Sequence, residues 1–189
     1  MTVGVLLAGG AARRFGADKL LAAMPDGRAV AQASAEAMVR ALGNVVAVVR
    51  PYSQRLSQTL VSAGCRVVEC PGAEHGMGAS IACGVSTSRD AGGWVIGLAD
   101  MPAVASETIA RVAAMLTSDD AIAAPVYRGE RGHPVGFGGS YAEALAALEG
   151  DEGARRIVRA NGGSLQIFDT DDPGVLLDID TPKDLERLQ

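Results

Sequence analysis

Four short stretches, residues 3–7, 45–49, 94–98 and 121–125, contain no polar side chain. A strand without a polar position is buried on both faces, which happens when a parallel sheet is covered by helices on each side. The intervals between these stretches read as helices. Residues 27–42 carry Val30, Ala33, Ala37, Met38, Ala41 and Leu42 at helical spacing, with Gly43 placed to end the run. Residues 54–63 read as a helix closed by Gly64, residues 66–69 as a further strand, and residues 79–87 as a helix approached through Gly76-Met77-Gly78. Ser106 is placed as the N-cap of a helix reaching residue 116, with Glu107 near its positive dipole end. This alternation predicts a single-domain α/β chain: a three-layer α/β/α sandwich around a mostly parallel, Rossmann-like sheet. Right-handed crossovers would put helices on both faces.

The second half is less regular. Residues 127–133 read as a loop, 134–137 as a strand, 141–148 as a helix, and 154–160 as a short helix with Asp151 as its N-cap. Residues 165–168 and 175–179 read as strands, and Thr181-Pro182 as the cap and first position of a terminal helix. The 189 residues fit one domain with a sizeable core, 1–189, with no repeat or linker inside it. In an open α/β sheet the ligand site lies outside the carboxyl ends of the strands.

The first strand ends abruptly at Gly9-Gly10, followed by Ala11-Ala12-Arg13-Arg14-Phe15-Gly16-Ala17-Asp18-Lys19. Glycines let a backbone approach a ligand that a Cβ would hold off. Loop amides beyond a strand end can converge on one anion, and Arg14 and Lys19 add full positive charges there. A polyphosphate is the natural guest. The ATPase loop and the dinucleotide fingerprint both require glycine spacings that this loop lacks.

The net charge of −5 gives no bulk electrostatic case for a nucleic-acid or anionic-membrane partner. No stretch reaches the ~20 apolar residues of a membrane span, and residues 1–8 lack a basic leader region. Cys65, Cys70 and Cys83 are odd in number and without paired spacing, so they make no disulfide framework and suit a reducing compartment. Together these readings point to the cytoplasm.

The string from Leu7 to Lys19 resembles the Leu-Ala-(Ala/Gly)-Gly-x-x-x-Arg-(Met/Phe)-Gly-x-x-Lys signature of nucleotidyltransferases. It is most similar to that of the molybdenum cofactor cytidylyl- and guanylyltransferases. Further strings resemble the same family: Leu98-Ala99-Asp100-Met101-Pro102, Arg131-Gly132-His133-Pro134, Gly150-Asp151-Glu152-Gly153-Ala154-Arg155, and Asp178-Ile179-Asp180-Thr181-Pro182 with Asp184 and Leu185. The resemblance implies the nucleotidyltransferase (glycosyltransferase-A-like) form of the sheet. It divides the chain into a nucleotide-binding part, 1–125, and an acceptor-binding part with a C-terminal metal-site segment, 126–189.

By that resemblance Leu7, Ala8, Gly9, Gly10, Ala11, Ala12, Arg13, Arg14 and Lys19 bind the nucleoside triphosphate. Gly76, Met77 and Ser80 lie against its base and ribose. Asp100 holds Mg²⁺ together with Asp180 or Asp178, and Arg14, Lys19 and Asp100 form the catalytic set. Arg131, His133, Asp151 and Arg155 face the acceptor. Those residue types suit the chemistry, because two phosphates that repel each other and a leaving pyrophosphate need a carboxylate-held cation and basic side chains. Asp180 could equally just precede the last helix and interact with its dipole.

The expected reaction is transfer of a nucleoside monophosphate from CTP to the phosphate of molybdopterin, with a cofactor-receiving enzyme as a further partner. GTP is the alternative, since Leu-Ala-Gly-Gly is the guanylyltransferase form whereas the later motifs lean to the cytidylyl branch. A sugar or alditol phosphate is the alternative acceptor. A chaperone module that holds the cofactor without turning it over, or an interaction domain that has lost the chemistry, are the readings outside catalysis.

Overall fold

The β-branched, wholly apolar runs form the centre of an eight-stranded sheet, seen in a computed structural model that describes residues 1–10 and 18–188. In chain order the strands are β1 (Thr2–Leu7), β2 (Val45–Val49), β3 (Arg66–Glu69), β4 (Gly93–Leu98), β5 (Ile122–Tyr127), β6 (Glu130–Arg131), β7 (Val135–Gly138) and β8 (Leu165–Asp169). The α-helices are α1 (Val30–Leu42), α2 (Gln54–Ser62), α3 (Met77–Ser86), α4 (Ser106–Ala114), α5 (Ala142–Ala146) and α6 (Arg155–Ala160).

The sheet order is β3-β2-β1-β4-β7-β5-β6, with β8 on the other edge of β5. Strands β3, β2, β1 and β4 run parallel, as do β5 and β8, whereas β7 is antiparallel to both β4 and β5. Strand order reverses at β1, whose neighbours are β2 and β4, so a crevice opens beyond the carboxyl ends of β1 and β4. Leu7 pairs with Leu98, so these two strands end level. The amide of Ala99 donates to the carbonyl of Leu7 at 3.1 Å, carrying the pairing into the loops.

Successive strand residues face opposite ways. Leu6, Ala47, Val49, Val95 and Ala123 pack in one cluster with residues of α1, α2 and α4. Val5, Val46, Val48, Trp94, Ile96 and Phe137 pack in another with residues of α3, α5 and α6. The three-layer sandwich expected from the sequence is therefore the observed architecture. Among the described residues, no helix is long and apolar enough to cross a membrane.

Several local expectations need correction. The expected loop 127–133 contains β6, which forms a tight hairpin with β5 through Arg128 and Gly129, both at positive φ (50° and 83°). That backbone twist suits a two-residue hairpin turn. Helix α1 starts at Val30, later than expected, and α3 starts earlier, at Met77. Asp151 caps no helix: it sits in a 3₁₀ turn, Gly150–Glu152, while α6 begins after Ala154. Ser106 is the first residue of α4, and the capping role falls to a distant carboxylate. Asp172 accepts from the Ala105 amide at 2.9 Å and the Thr108 hydroxyl at 2.7 Å.

The expected strand 175–179 is not one. Asp172 also accepts from the Gly174 amide at 2.9 Å, and this turn with Pro173 winds Pro173–Leu176 into a 3₁₀ helix. Its Val175 carbonyl takes the His133 amide at 2.9 Å. At its end, Asp184 accepts from the Thr181 amide and hydroxyl at 2.7 and 2.8 Å, so Thr181 is a donor here, and Pro182–Leu188 is 3₁₀.

Asp172 thus ties the C-terminal segment to α4. Asp172→Ala is expected to cost about 1 to 2 kcal/mol, the usual loss on removing a helix cap. Urea unfolding followed by circular dichroism measures it, and an unchanged midpoint would show the tie to be incidental.

Candidate functional site

Leu7, Ala8 and Gly9 are buried at the end of β1, and Gly10 emerges into solvent. A Cβ on Gly9 would stand 2.8 Å from the Ala73 methyl and 3.1 Å from Ser80 Oγ. The methyl of Ala73 is attached directly to its backbone and cannot swing aside, so the strand end needs glycine there. The contact joins the β1 loop to the 3₁₀ turn Ala73–His75 and to Ser80, which is buried in the first turns of α3. Ala11, Ala12, Arg13 and Arg14 lie outside the described residues.

Lys19 opens the 3₁₀ turn Lys19–Leu21 and is nearly buried. Its ammonium donates to Asp100 Oδ2 and to Asp180 Oδ1, both at 2.8 Å. Burial pushes its pKa down, but the hydrogen bonds and charges of the two aspartates outweigh this and raise it, so Lys19 stays charged. Asp100 stands just beyond β4. Asp180 is brought to it by a backbone bond, from the Ile179 amide to the Asp100 carbonyl at 2.8 Å. The Asp180 amide is itself held by Asp184, at 3.2 Å. Asp178 is exposed, on the other side of buried Ile179, and its charge falls on His133.

The ammonium marks a point that one oxygen of each carboxylate can reach at once. A magnesium ion binds oxygen at about 2.1 Å and keeps several waters, so two carboxylates and substrate phosphate suffice for it. Among the described residues no group of three or more His, Cys, Asp or Glu gathers as a metal cage. The two carboxylates, reaching one point, offer the oxygen donors that a hard divalent cation takes.

On the face of the sheet covered by α3, α5 and α6, a cavity of about 520 Å³ opens between β4, β7, α3 and α6. Gly76, at φ 130°, and Gly78 allow the 149–151 turn to lie across the start of α3, because a Cβ on Gly78 would come 2.6 Å from the Glu149 carbonyl oxygen. Of the base-contact set, Met77 therefore lines this cavity, Ser80 backs Gly9, and Gly76 packs against residues 150 and 151. Arg131, His133, Asp151 and Arg155, scattered in sequence, all line the same cavity.

His133 borders both this cavity and the core around Met101 and Ile109. Burial lowers its pKa; Asp100 and Asp178 oppose that, while Arg131 and Arg155 reinforce it. Its Nδ1 is buried without a hydrogen-bond partner among the described residues. The imidazole is therefore neutral at pH 7 and has one nitrogen to offer. Arg156 and Arg159 also line the cavity. The motifs did not point to them; the signal available was the repetition of arginine at 155, 156 and 159 on one short helix.

A carboxylate pair with a lysine at a strand-order reversal, beside a cationic cavity, can neutralise phosphate charge and align an acceptor. A family model described as MobA-like NTP transferase domain matches residues 4–165. Purine catabolism protein PucB of Bacillus subtilis (strain 168) is 28% identical, over 99% of this chain and 95% of its own. Nicotine blue oxidoreductase of Paenarthrobacter nicotinovorans is 28% identical, over 98% of this chain and 95% of its own. The crystal structure of Rv0371c from Mycobacterium tuberculosis H37Rv is similar at a TM-score of 0.84 and 27% identity, over 99% of this chain and 96% of that one. A complex of Rv0371c with manganese aligns at a TM-score of 0.77 and 26% identity, over 99% and 97%.

Two expectations follow from the geometry. In Lys19→Met the carboxylates lose their counter-charge, so the nucleotide-free protein should bind Mn²⁺ about tenfold or more tightly than wild type. Titration followed by electron paramagnetic resonance reads this, and an unchanged affinity would separate the carboxylates from cation binding. His133 has a lowered pKa in the fold, so the unfolded chain binds a proton first as pH falls. The stability present above pH 6.5 should be lost as pH falls below it, and His133→Gln should flatten that acid limb in urea-unfolding series.

Proposed function

The chain belongs to the MobA-like NTP transferase family, and we propose that it transfers the cytidylyl group of CTP to the phosphate of molybdopterin, releasing pyrophosphate and forming the dinucleotide cofactor. The observation that carries this reading is the pair Asp100 and Asp180 gathered on Lys19 beside an arginine-lined cavity. Residues 1–125 would hold the nucleotide, and residues 126–189 would supply the acceptor side and Asp180.

In this mechanism the amides after β1, with Arg14 and Lys19, hold the triphosphate. Asp100 and Asp180 would hold Mg²⁺, which when bound neutralises charge on the α-phosphate and the incoming phosphate. The manganese complex of Rv0371c supports a divalent cation in such a protein. Arg131 and Arg155 orient the acceptor phosphate, Asp151 lies at its side, and neutral His133 adds no repulsive or competing charge. An acceptor oxygen attacks the α-phosphorus in line, and the bond to the β-phosphate breaks as pyrophosphate leaves. A recipient enzyme would take the product in the cytoplasm.

The choice of CTP is supported by Gly9. Its missing methyl points at Ala73 and Ser80, so a packing demand in this chain accounts for glycine there without reference to the base. The remaining motifs lean to the cytidylyl branch. GTP as substrate is the outcome that the same experiment distinguishes.

Calorimetry with CTP and GTP, with Mg²⁺ and without, followed by pyrophosphate release in the presence of molybdopterin, tests the proposal. Metal-dependent CTP binding and CTP-dependent release are expected. Arg14→Ala should lower kcat more than nucleotide affinity, because its charge matters most when pyrophosphate departs. Release with GTP alone, or an unchanged kcat in Arg14→Ala, would overturn the corresponding assignment.

A further inference from the structure

The cavity beside Asp100 carries more positive charge than one transferable phosphate requires. Four exposed arginines, Arg131, Arg155, Arg156 and Arg159, line it, against the single described carboxylate of Asp151. Among the described residues, ion pairs are made by Lys19, Arg28, Arg89 and Arg187, and none of the four cavity arginines takes part in one. The apolar residues that share the cavity and keep some exposure are Met77 of α3, Leu98 of β4 and Val135 of β7, with buried Ile81, Ile96 and Phe137 behind them.

The four arginines fall into two groups. Arg131 and Arg155 are near enough to His133, itself a lining residue, for their charges to act on it. Arg156 and Arg159 continue along α6. At 1.5 Å per residue, Arg159 lies about 6 Å further along the axis than Arg155. Ile157 and Val158 are buried and fix α6 against the sheet, so the two arginines stay at the cavity wall. Guanidinium groups facing an apolar surface favour a planar anion that both can grip through paired hydrogen bonds.

We propose that the cavity takes an acceptor with two anionic ends. The transferable phosphate lies at Arg131 and Arg155; a flat body spans the partly exposed apolar side chains of Met77, Leu98 and Val135; a second anionic group lies at Arg156 and Arg159. The identity of the first anion rests on the transferase reading, whereas the second subsite is a property of the cavity walls.

Two probes separate these. 1-Naphthyl phosphate supplies the apolar body and one anion, and its analogue with a sulfonate on the far ring supplies two. Binding to the full chain without nucleotide is read by calorimetry. Wild type should bind the sulfonated probe about tenfold more tightly, the equivalent of one charge-assisted contact pair. In Arg156→Ala/Arg159→Ala that preference should vanish while affinity for 1-naphthyl phosphate stays within about twofold. Arg156→Lys/Arg159→Lys should retain part of the preference. Equal affinity of wild type for the two probes, or a preference surviving in the double alanine variant, would overturn the second subsite. Such a failure leaves CTP-dependent pyrophosphate release untouched. Loss of that release with an intact probe preference would instead strike the transferase reading.

Discussion

Asp100 and Asp180 stand within hydrogen-bond distance of the same ammonium, and their pairing depends on it. Two carboxylates roughly 5 Å apart repel by about 3 kcal/mol at the effective dielectric of a protein surface. Lys19 reverses the sign of that term, so the fold can bring together residues 80 positions apart (180 − 100) without a bound cation. The residual charge of the trio is −1, which still attracts a cation. The same lysine is one the resemblance assigns to the triphosphate. One ammonium thus has two sets of anions, and where the divalent cation sits decides which set holds it.

The sheet makes this convergence unavoidable. Because β1 and β4 are parallel neighbours with level ends, the loops after them leave the sheet side by side, one leading to Lys19 and the other carrying Asp100. The third participant comes from the far end of the chain. Segment 172–180 is tied to α4 through Asp172 and to His133 through Val175 before Ile179 docks on Asp100. Gly132 and Gly174 have no room for a Cβ, against Val175 and Ala103 respectively, so the segment is wedged as well as hydrogen-bonded. The ties that place Asp180 also hold His133 at the cavity, which couples the carboxylate pair to the cavity mechanically.

The sheet and most helices were legible because runs such as Val45–Val49 admit one reading: no polar residue means burial on both faces. The expectation failed where long-range contacts decide local structure. Residues 175–179 have a strand-like composition, yet the Asp172 carboxylate and Pro173 wind their start into 3₁₀. Ser106 is a good cap by residue type, yet Asp172 outcompetes it because a charged acceptor reaches both the Ala105 amide and Thr108. In the site, the motifs named residues without saying how they divide. Spacing alone made Asp178 and Asp180 equivalent; buried Ile179 between them and the absence of a strand send them to different neighbours. The resemblance sets Gly76 against the nucleotide; in the fold Gly76 and Gly78 also make room for the 149–151 turn, a packing demand that the motif does not reveal.

The placement of the two cation types follows the same division. Of seventeen lysines and arginines only Lys19 and Lys183 are lysines, and one of those two sits between the carboxylates. An ammonium is a compact point charge that donates in any direction, so it can neutralise Asp100 and Asp180 without fixing their plane and can yield its place to another compact cation. A guanidinium there would grip a carboxylate bidentately and hold it in a geometry that a metal ion would have to undo. In the cavity the requirement is the reverse. The acceptor anion proposed there would have to be oriented as well as attracted, and the planar fork of arginine suits both. On the proposed reaction, the side chain that can be displaced stands where a cation would enter, and the ones that orient stand where the acceptor would be held.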